Sequence, residues 1–263
     1  MNYRFESKEK IGEGFVRILD EISRRAAELG RHRDASLGEA IHDTRVLGKR
    51  LRALLWFAQP VLAERIHDQA KKRLREASGV LAPMRDDAVV CAVLEKHQEK
   101  SKSHDRMALE MLIEGTTESS VTRLKLRAAV RRAITILQRV AADVKKGAAA
   151  QSDWPRPRSR VKEAWCEMKQ AARKARRSGE DEAYHEWRKK TKRLLYQMEL
   201  AGDDVKTVDK LQDELGLCHD LAVVEDRLRR ANAPAGAVAR VARLFKKTKA
   251  RARAKAAKLG RKI

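Results

Sequence analysis

Two stretches of this chain repeat each other. IHDTRVLGKRLRA (Ile41–Ala53) lies over YHEWRKKTKRLLY (Tyr184–Tyr196), 143 residues further on. His42 meets His185, Arg45 meets Arg188, Lys49 meets Lys192, Arg50 meets Arg193 and Leu51 meets Leu194. The preceding segments agree as well: Ile11, Phe15, Ile18 and Ile22 share their spacing with Val161, Trp165, Met168 and Ala172. So do the following ones, where LAPMRDDAVV (Leu81–Val90) matches LGLCHDLAVV (Leu215–Val224) at a shorter offset of 134. Three blocks matching in one order make a duplicated unit, and the fold must give both copies the same kind of apolar partner.

The unit is helical. Apolar residues recur at three- and four-residue intervals, and no segment alternates with period two for the length of a strand. Aromatics are only 4% of the chain, too few for a strand-rich core. Helices are predicted over about 8–29, 36–58, 61–78, 86–99, 104–114 and 119–146, then 160–177, 180–201, 204–216, 220–231 and 234–258. Ser36 and Glu39 form a capping box for the second helix. Gly79 to Pro83 reads as a turn; Asp86 or Asp87, and Asp220 in the second copy, read as N-caps of the helices that follow, the alternative for Asp86 and Asp220 being a carboxylate that orients a basic side chain of the rows. The sequence divides into a first repeat (1–146), a crossover (147–159) containing Asp153-Trp154-Pro155-Arg156-Pro157, a second repeat (160–245) and a basic tail (246–263). The fold class is all-α, with short loops favouring antiparallel packing.

The repeated helix carries chemistry on one face. At about 100° per residue, His42, Arg45, Lys49 and Arg52 fall within roughly 80° of one another, with Leu47, Leu51 and Leu54 opposite. In the second copy His185, Arg188, Lys189, Lys192 and Tyr196 share an arc, with Ala183, Trp187, Leu194 and Met198 opposite. Solvated helix faces normally mix signs and gain from ion pairs one turn apart. These rows hold almost no acid, and each has a histidine at the same place. Arg grips phosphate through parallel N–H bonds, Lys adds a mobile charge, and imidazolium donates from either nitrogen. Basic groups at i, i+3, i+7 and i+10 span about 15 Å, which suits an extended polyanion. Apart from Tyr196 the rows lack the aromatic platforms on which single-stranded nucleic acid stacks.

The formal charge is +23, and such an excess asks for an anionic partner. The tail from Lys246 to Ile263 holds nine basic residues and no acidic one, so it accounts for only part of the excess and leaves the body at +14. The tail reads either as a solvated helix end or as a non-specific anion-binding arm. No uncharged stretch approaches the ~20 residues of a membrane span, the longest being Ala53 to Ala63. The N-terminus lacks the apolar core of a secretory signal. Cys91, Cys166 and Cys218 are odd in number and far apart, and read as reduced core thiols of a cytoplasmic protein. No cofactor or metal motif is read. Four His-Asp dipeptides raise a metal-dependent phosphohydrolase as a rival, but the cationic rows around His42 would repel a divalent ion. Non-specific nucleic-acid binding through the tail is the other rival, without a helix-turn-helix or zinc-finger pattern behind it.

The motifs IHDTRVLGKRLRALLWF, MRDDAVV, YHEWRKKTKRLLYQMEL and LQDELGLCHDLAVV, in this order, resemble those of the CHAD family, the conserved-histidine α-helical domains. The resemblance covers about 8–245. It implies two pseudo-symmetric antiparallel four-helix units forming one compact domain with a central basic channel. It also implies non-catalytic binding of inorganic polyphosphate there and residence on polyphosphate granules. By that match His42, Arg45, Lys49, Arg52, His185, Arg188, Lys189, Lys192 and Tyr196 line the channel, joined by Arg75 and Arg85. The copies differ at two points: His219 stands opposite Arg85 and Leu195 opposite Arg52, so an asymmetric channel is expected.

Overall fold

The structure, a computed structural model, describes residues 3–31, 37–99, 107, 109–110, 123–149, 151–230 and 234–263. Within the helices the side chains of 83–92, 123 and 228–230 are also outside the description. The described residues contain no strand. The long helices among them are α1 (Ile11–Arg31), α2 (Leu37–Phe57), α3 (Glu64–Gln98), α4 (Arg123–Ala148), α5 (Pro157–Ser178), α6 (Asp181–Ala201), α7 (Lys206–Arg230) and α8 (Ala235–Lys262). The all-α expectation holds. The predicted cap Ser36 and most of the helix expected at 104–114 fall outside the described residues.

Two predicted breaks are absent. The helix expected to stop at Gly79 runs on as α3 through Pro83, and those expected at 204–216 and 220–231 are one helix, α7. The cause is a continuous buried stripe. Leu74, Ala77 and Leu81 keep the α3 spacing across Gly79, and Val208, Leu211, Leu215, Cys218, Leu221 and Val224 run unbroken along α7. Packing of one long face outweighs a glycine, whose local cost in a helix is about 1 kcal/mol. Asp86 and Asp220 therefore lie inside helices and cap neither end, contrary to the N-cap reading.

The chain packs as two units that interleave along the sequence. The first comprises Met1–Pro83, Val121–Ala164 and Arg193–Asp204, and the second Met84–Ser120, Trp165–Lys192 and Val205–Ile263. The boundaries 1–146 and 160–245 thus describe copies of sequence, while packing cuts across α3, α5 and α6.

In the first unit α1, α2 and α4 pack on one another. Phe15, Ile18, Ile22, Leu51, Leu54 and Phe57 are fully buried there. The crossover joins this core: the Trp154 ring lies 4.7 Å from Phe15 and 6.4 Å from Phe57. It also covers Gly12, where an added Cβ would come within 2.8 Å of Trp154 Nε1. In the second unit α7 and α8 pack together. Leu94, Leu109, Leu221, Val224, Val241 and Phe245 form one cluster there, and Trp187, Met168, Ala172 and Ala175 are buried. Trp165, aligned with the buried Phe15, is instead exposed and donates to the Ile263 carbonyl at 2.9 Å.

The segment 246–262 continues α8. Lys249, Ala252, Ala256 and Gly260 are buried along it. Lys249 donates to Glu225 at 2.7 Å and to Asp181 at 3.1 Å. Arg253 donates to the Gly179 carbonyl at 2.7 Å, pairs with Asp181 and lies over the Tyr184 ring at 4.2 Å. Gly179, at φ 70°, opens the short connection between α5 and α6, a conformation that suits glycine. The nine basic residues of the tail are therefore divided between a packed inner face and an outer one.

Candidate functional site

On α2 the leucine face predicted from the angles is buried: Leu47, Leu51 and Leu54 are all core residues. That fixes the rotation of the helix. His42 is exposed, and Arg45 and Lys49 are half-buried. Asp43, next to His42, is held by Arg25 of α1 at 2.8 Å, so it does not neutralise the row on its own helix.

Arg52 is different. Its Nη2 donates to the Leu74 carbonyl at 2.7 Å and also bonds Ser78 Oγ, tying α2 to α3. Burial holds its guanidinium below the ordinary value, although arginine stays charged near neutrality. The structure gives Arg52 an internal partner, so the α2 row shortens to His42, Arg45 and Lys49, about 10 Å of helix. Arg75 is exposed on α3 and makes no ion pair among the described residues. The Arg85 side chain lies outside the described residues.

On α6, Ala183, Trp187 and Leu194 are buried as predicted. His185, Arg188 and Lys192 are half-buried and Lys189 is exposed, all four in the second unit. Glu186 pairs with Lys189 at 2.9 Å, and this hydrogen bond holds its carboxyl below the usual carboxylate range. The acid that follows the histidine is thus engaged by a base in both copies: Asp43 by Arg25, Glu186 by Lys189. The second row is less free of acid than its sequence suggests. Tyr196 belongs to the first unit, where it lines a small cavity with Tyr3, Arg50 and Glu199.

The second unit contains a feature that the linear reading passed over. His185 of α6 and His219 of α7 face each other, with Nδ1 atoms 3.1 Å apart and rings 4.7 Å apart. One nitrogen must carry a proton and the other accept it, so the two rings hold complementary tautomers. Burial pushes the His185 imidazole below its ordinary value. Lys189 and Arg188 add to this, opposed by Glu182 and Glu186. The pair borders a pocket of roughly 280 Å³ whose wall includes Asp181, Tyr184 and Cys218. Burial pushes the Cys218 thiol up to about 11, so it stays protonated near neutrality and is a poor nucleophile. At Gly216 on α7 an added Cβ would stand in ordinary contact with Arg188 Nε of α6, at 3.9 Å, so the approach of the two helices does not depend on glycine. The signal for the pair was in the repeat, where His219 breaks the match to Arg85.

The cysteines divide. Cys218 is buried as expected, whereas Cys166 is exposed, a correction to the reading of core thiols. The apolar run around Cys166 is one face of α5, and the thiol falls outside it. Cys91 lies outside the described side chains.

The first unit also holds a cation-rich aromatic site. Trp56 of α2 carries the Arg160 guanidinium at 3.7 Å from its ring centroid and that of Arg193 at 4.9 Å. Arg50 lies over Tyr3 at 4.0 Å. Arg50 and Arg193, aligned by the repeat, thus both rest on rings. The stacking adds to ion pairs that Arg160 makes with Glu163 and Arg50 with Glu199.

Among the described residues no three His, Cys, Asp or Glu side chains are grouped as a metal ion needs. Of the His-Asp dipeptides, His67 Nδ1 and Asp68 Oδ1 are 3.1 Å apart, while Asp43 is held by Arg25. No helix among the described residues is long and apolar enough to cross a membrane.

The paired histidine-led basic helices within an all-α chain agree with comparison against known families: the CHAD domain model matches residues 18–229. The chain belongs to the CHAD family, whose domain is associated with polyphosphate binding. No curated protein matches it.

Proposed function

We propose that this protein binds inorganic polyphosphate through the basic rows of α2 and α6, without catalysis, and that this binding holds it at polyphosphate granules. The observation that carries the reading is the in-register pair of His-x-x-Arg rows, each set on a helix rotated by its own buried apolar face. His42, Arg45 and Lys49 supply one row, and His185, Arg188, Lys189 and Lys192 the other. Each spans about 10 Å of helix, enough to meet successive phosphates of an extended chain. The guanidinium groups form paired N–H bonds to phosphate oxygens, the lysines replace its counterions, and His185 adds charge as the pH falls. A metal-dependent phosphohydrolase has less support, because the rows are cationic and no metal-ligand group of three is present among the described residues.

The test is titration of end-labelled long-chain polyphosphate by anisotropy at several salt concentrations. Affinity falls as salt rises, because bound cations release the counterions of the polymer. Replacing both arginines, Arg45→Ala with Arg188→Ala, weakens binding about 100-fold, from two lost charge-assisted contacts of about 1.5 kcal/mol each. Unchanged affinity in the double variant would overturn the reading.

A further inference from the structure

The outer face of α8 is a second concentration of positive charge, remote in sequence from α2 and α6 and not used by the proposed function. Residues 235–262 contain no acidic side chain. The inward basic groups of the helix are consumed, Lys249 by Glu225 and Asp181 and Arg253 by Asp181, and exposed Lys255 at the edge of the face meets Glu214 at 3.4 Å. Arg243, Lys247, Arg251, Lys258 and Arg261 point the other way. All five are exposed, and none forms an ion pair or hydrogen bond among the described residues. They fall within about 80° of one another around the helix axis, opposite the buried Val241, Phe245, Ala252 and Ala256. From Arg243 to Arg261 the row extends about 27 Å. Like charges one turn apart, as at Lys247 and Arg251, destabilise a helix, and a polyanion laid along them relieves that repulsion.

From this we propose that the outer face of α8 binds the phosphate backbone of duplex nucleic acid, without reading its sequence. The row runs along one continuous helix and is exposed at all five positions, which fits a rod of regularly spaced phosphates. The exposed row offers Arg and Lys with only Ala250 and Ala254 between them, and no Asn or Gln to pair with a base edge, so it serves phosphates first. A lipid surface fits less well. The small side chains between the cations are Ala250 and Ala254, and an interfacial helix needs large apolar residues beside its charges.

The experiment uses the full chain and a 30-base-pair duplex of arbitrary sequence, with anisotropy read between 50 and 200 mM salt. The variant Lys247→Gln/Arg251→Gln/Lys258→Gln/Arg261→Gln alters only exposed positions, and circular dichroism verifies that it keeps the wild-type helix content. It is expected to bind the duplex at least tenfold more weakly. Its slope of log affinity against log salt should be shallower by about 3.6, from four lost phosphate contacts. Its affinity for polyphosphate should change less than threefold, and Arg45→Ala/Arg188→Ala should bind the duplex like the wild type. Duplex binding unchanged in the α8 variant overturns the proposal, as does binding to phosphatidylserine vesicles with none to the duplex. Parallel loss of duplex and polyphosphate also overturns it, by reducing α8 to a general cationic field. Loss of polyphosphate binding in the Arg45/Arg188 variant bears on the proposed function alone, so the two readings fail separately.

Discussion

Replacing Lys249 by methionine tests whether the basic C-terminal segment is a structural part of its unit. Methionine keeps the length and helix propensity of the side chain and removes the charge. Lys249 is 11% exposed as a side chain and Glu225 15%, so the loss leaves Glu225 charged, nearly buried and without its 2.7 Å partner. Breaking a fully buried pair costs about 3–5 kcal/mol. Asp181, the second partner, is 52% exposed and is rehydrated at little cost. The expected loss is therefore about 2–3 kcal/mol, chiefly from stranded Glu225. Lys249→Met/Glu225→Leu removes both charges and should recover most of it, ending within about 1 kcal/mol of wild type. The assay is urea unfolding followed by circular dichroism, with all four proteins of the cycle. A Lys249→Met midpoint equal to wild type, or a double variant whose loss is the sum of the singles, would refute the argument. The same network predicts that truncation at residue 245 disrupts the second unit, so truncation cannot isolate the role of the basic segment in binding.

Other outcomes follow from the same structure. In the free protein the His185 imidazole is held below 6.5, chiefly by burial, while bound phosphate favours its charged form. Binding then takes up a proton, so polyphosphate affinity rises as pH falls below about 6.5 and levels off below the free-state value; His185→Gln should flatten that profile. Stability of the free protein moves the other way: the unfolded chain binds more protons, so the His185 contribution is complete above about 6.5 and declines on acidification, as urea midpoints across this range would show. Iodoacetamide on the native protein should label Cys166, which is exposed, and spare Cys218, as peptide mass spectrometry would read; equal labelling would contradict the burial of Cys218. Gly260→Ala places a Cβ 2.8 Å from the buried Trp187 ring and should cost about 1–3 kcal/mol in urea unfolding despite the better helix propensity of alanine.

The helices, their apolar faces and the basic rows were legible in the sequence because each depends on residues three and four apart. Leu47, Leu51 and Leu54 are buried where the angles placed them, and so is Trp187. The failures came where distant segments decide. Gly79 and Gly216 are local breakers, but the stripes from Leu74 to Leu81 and from Val208 to Val224 continue through them. Arg52 shares an arc with His42, yet its partners, the Leu74 carbonyl and Ser78, lie on α3, and no spacing within α2 reveals them. Lys249 looked like one of nine interchangeable tail cations, and only the positions of Glu225 and Asp181 single it out. The His185–His219 pair left a trace, a broken match between the copies, but the trace gives no distance. The interleaving of the two units left none, because sequence similarity follows duplication and packing does not.

Lysine acylation with and without long-chain polyphosphate, read by mass spectrometry, tests the assignment of the rows most directly. The account predicts protection of Lys49 on α2 and of Lys189 and Lys192 on α6, with exposed Lys71 and Lys72 on α3 reacting as before. Protection confined to Lys247 and Lys258 on α8, with Lys49 and Lys192 unchanged, would contradict it.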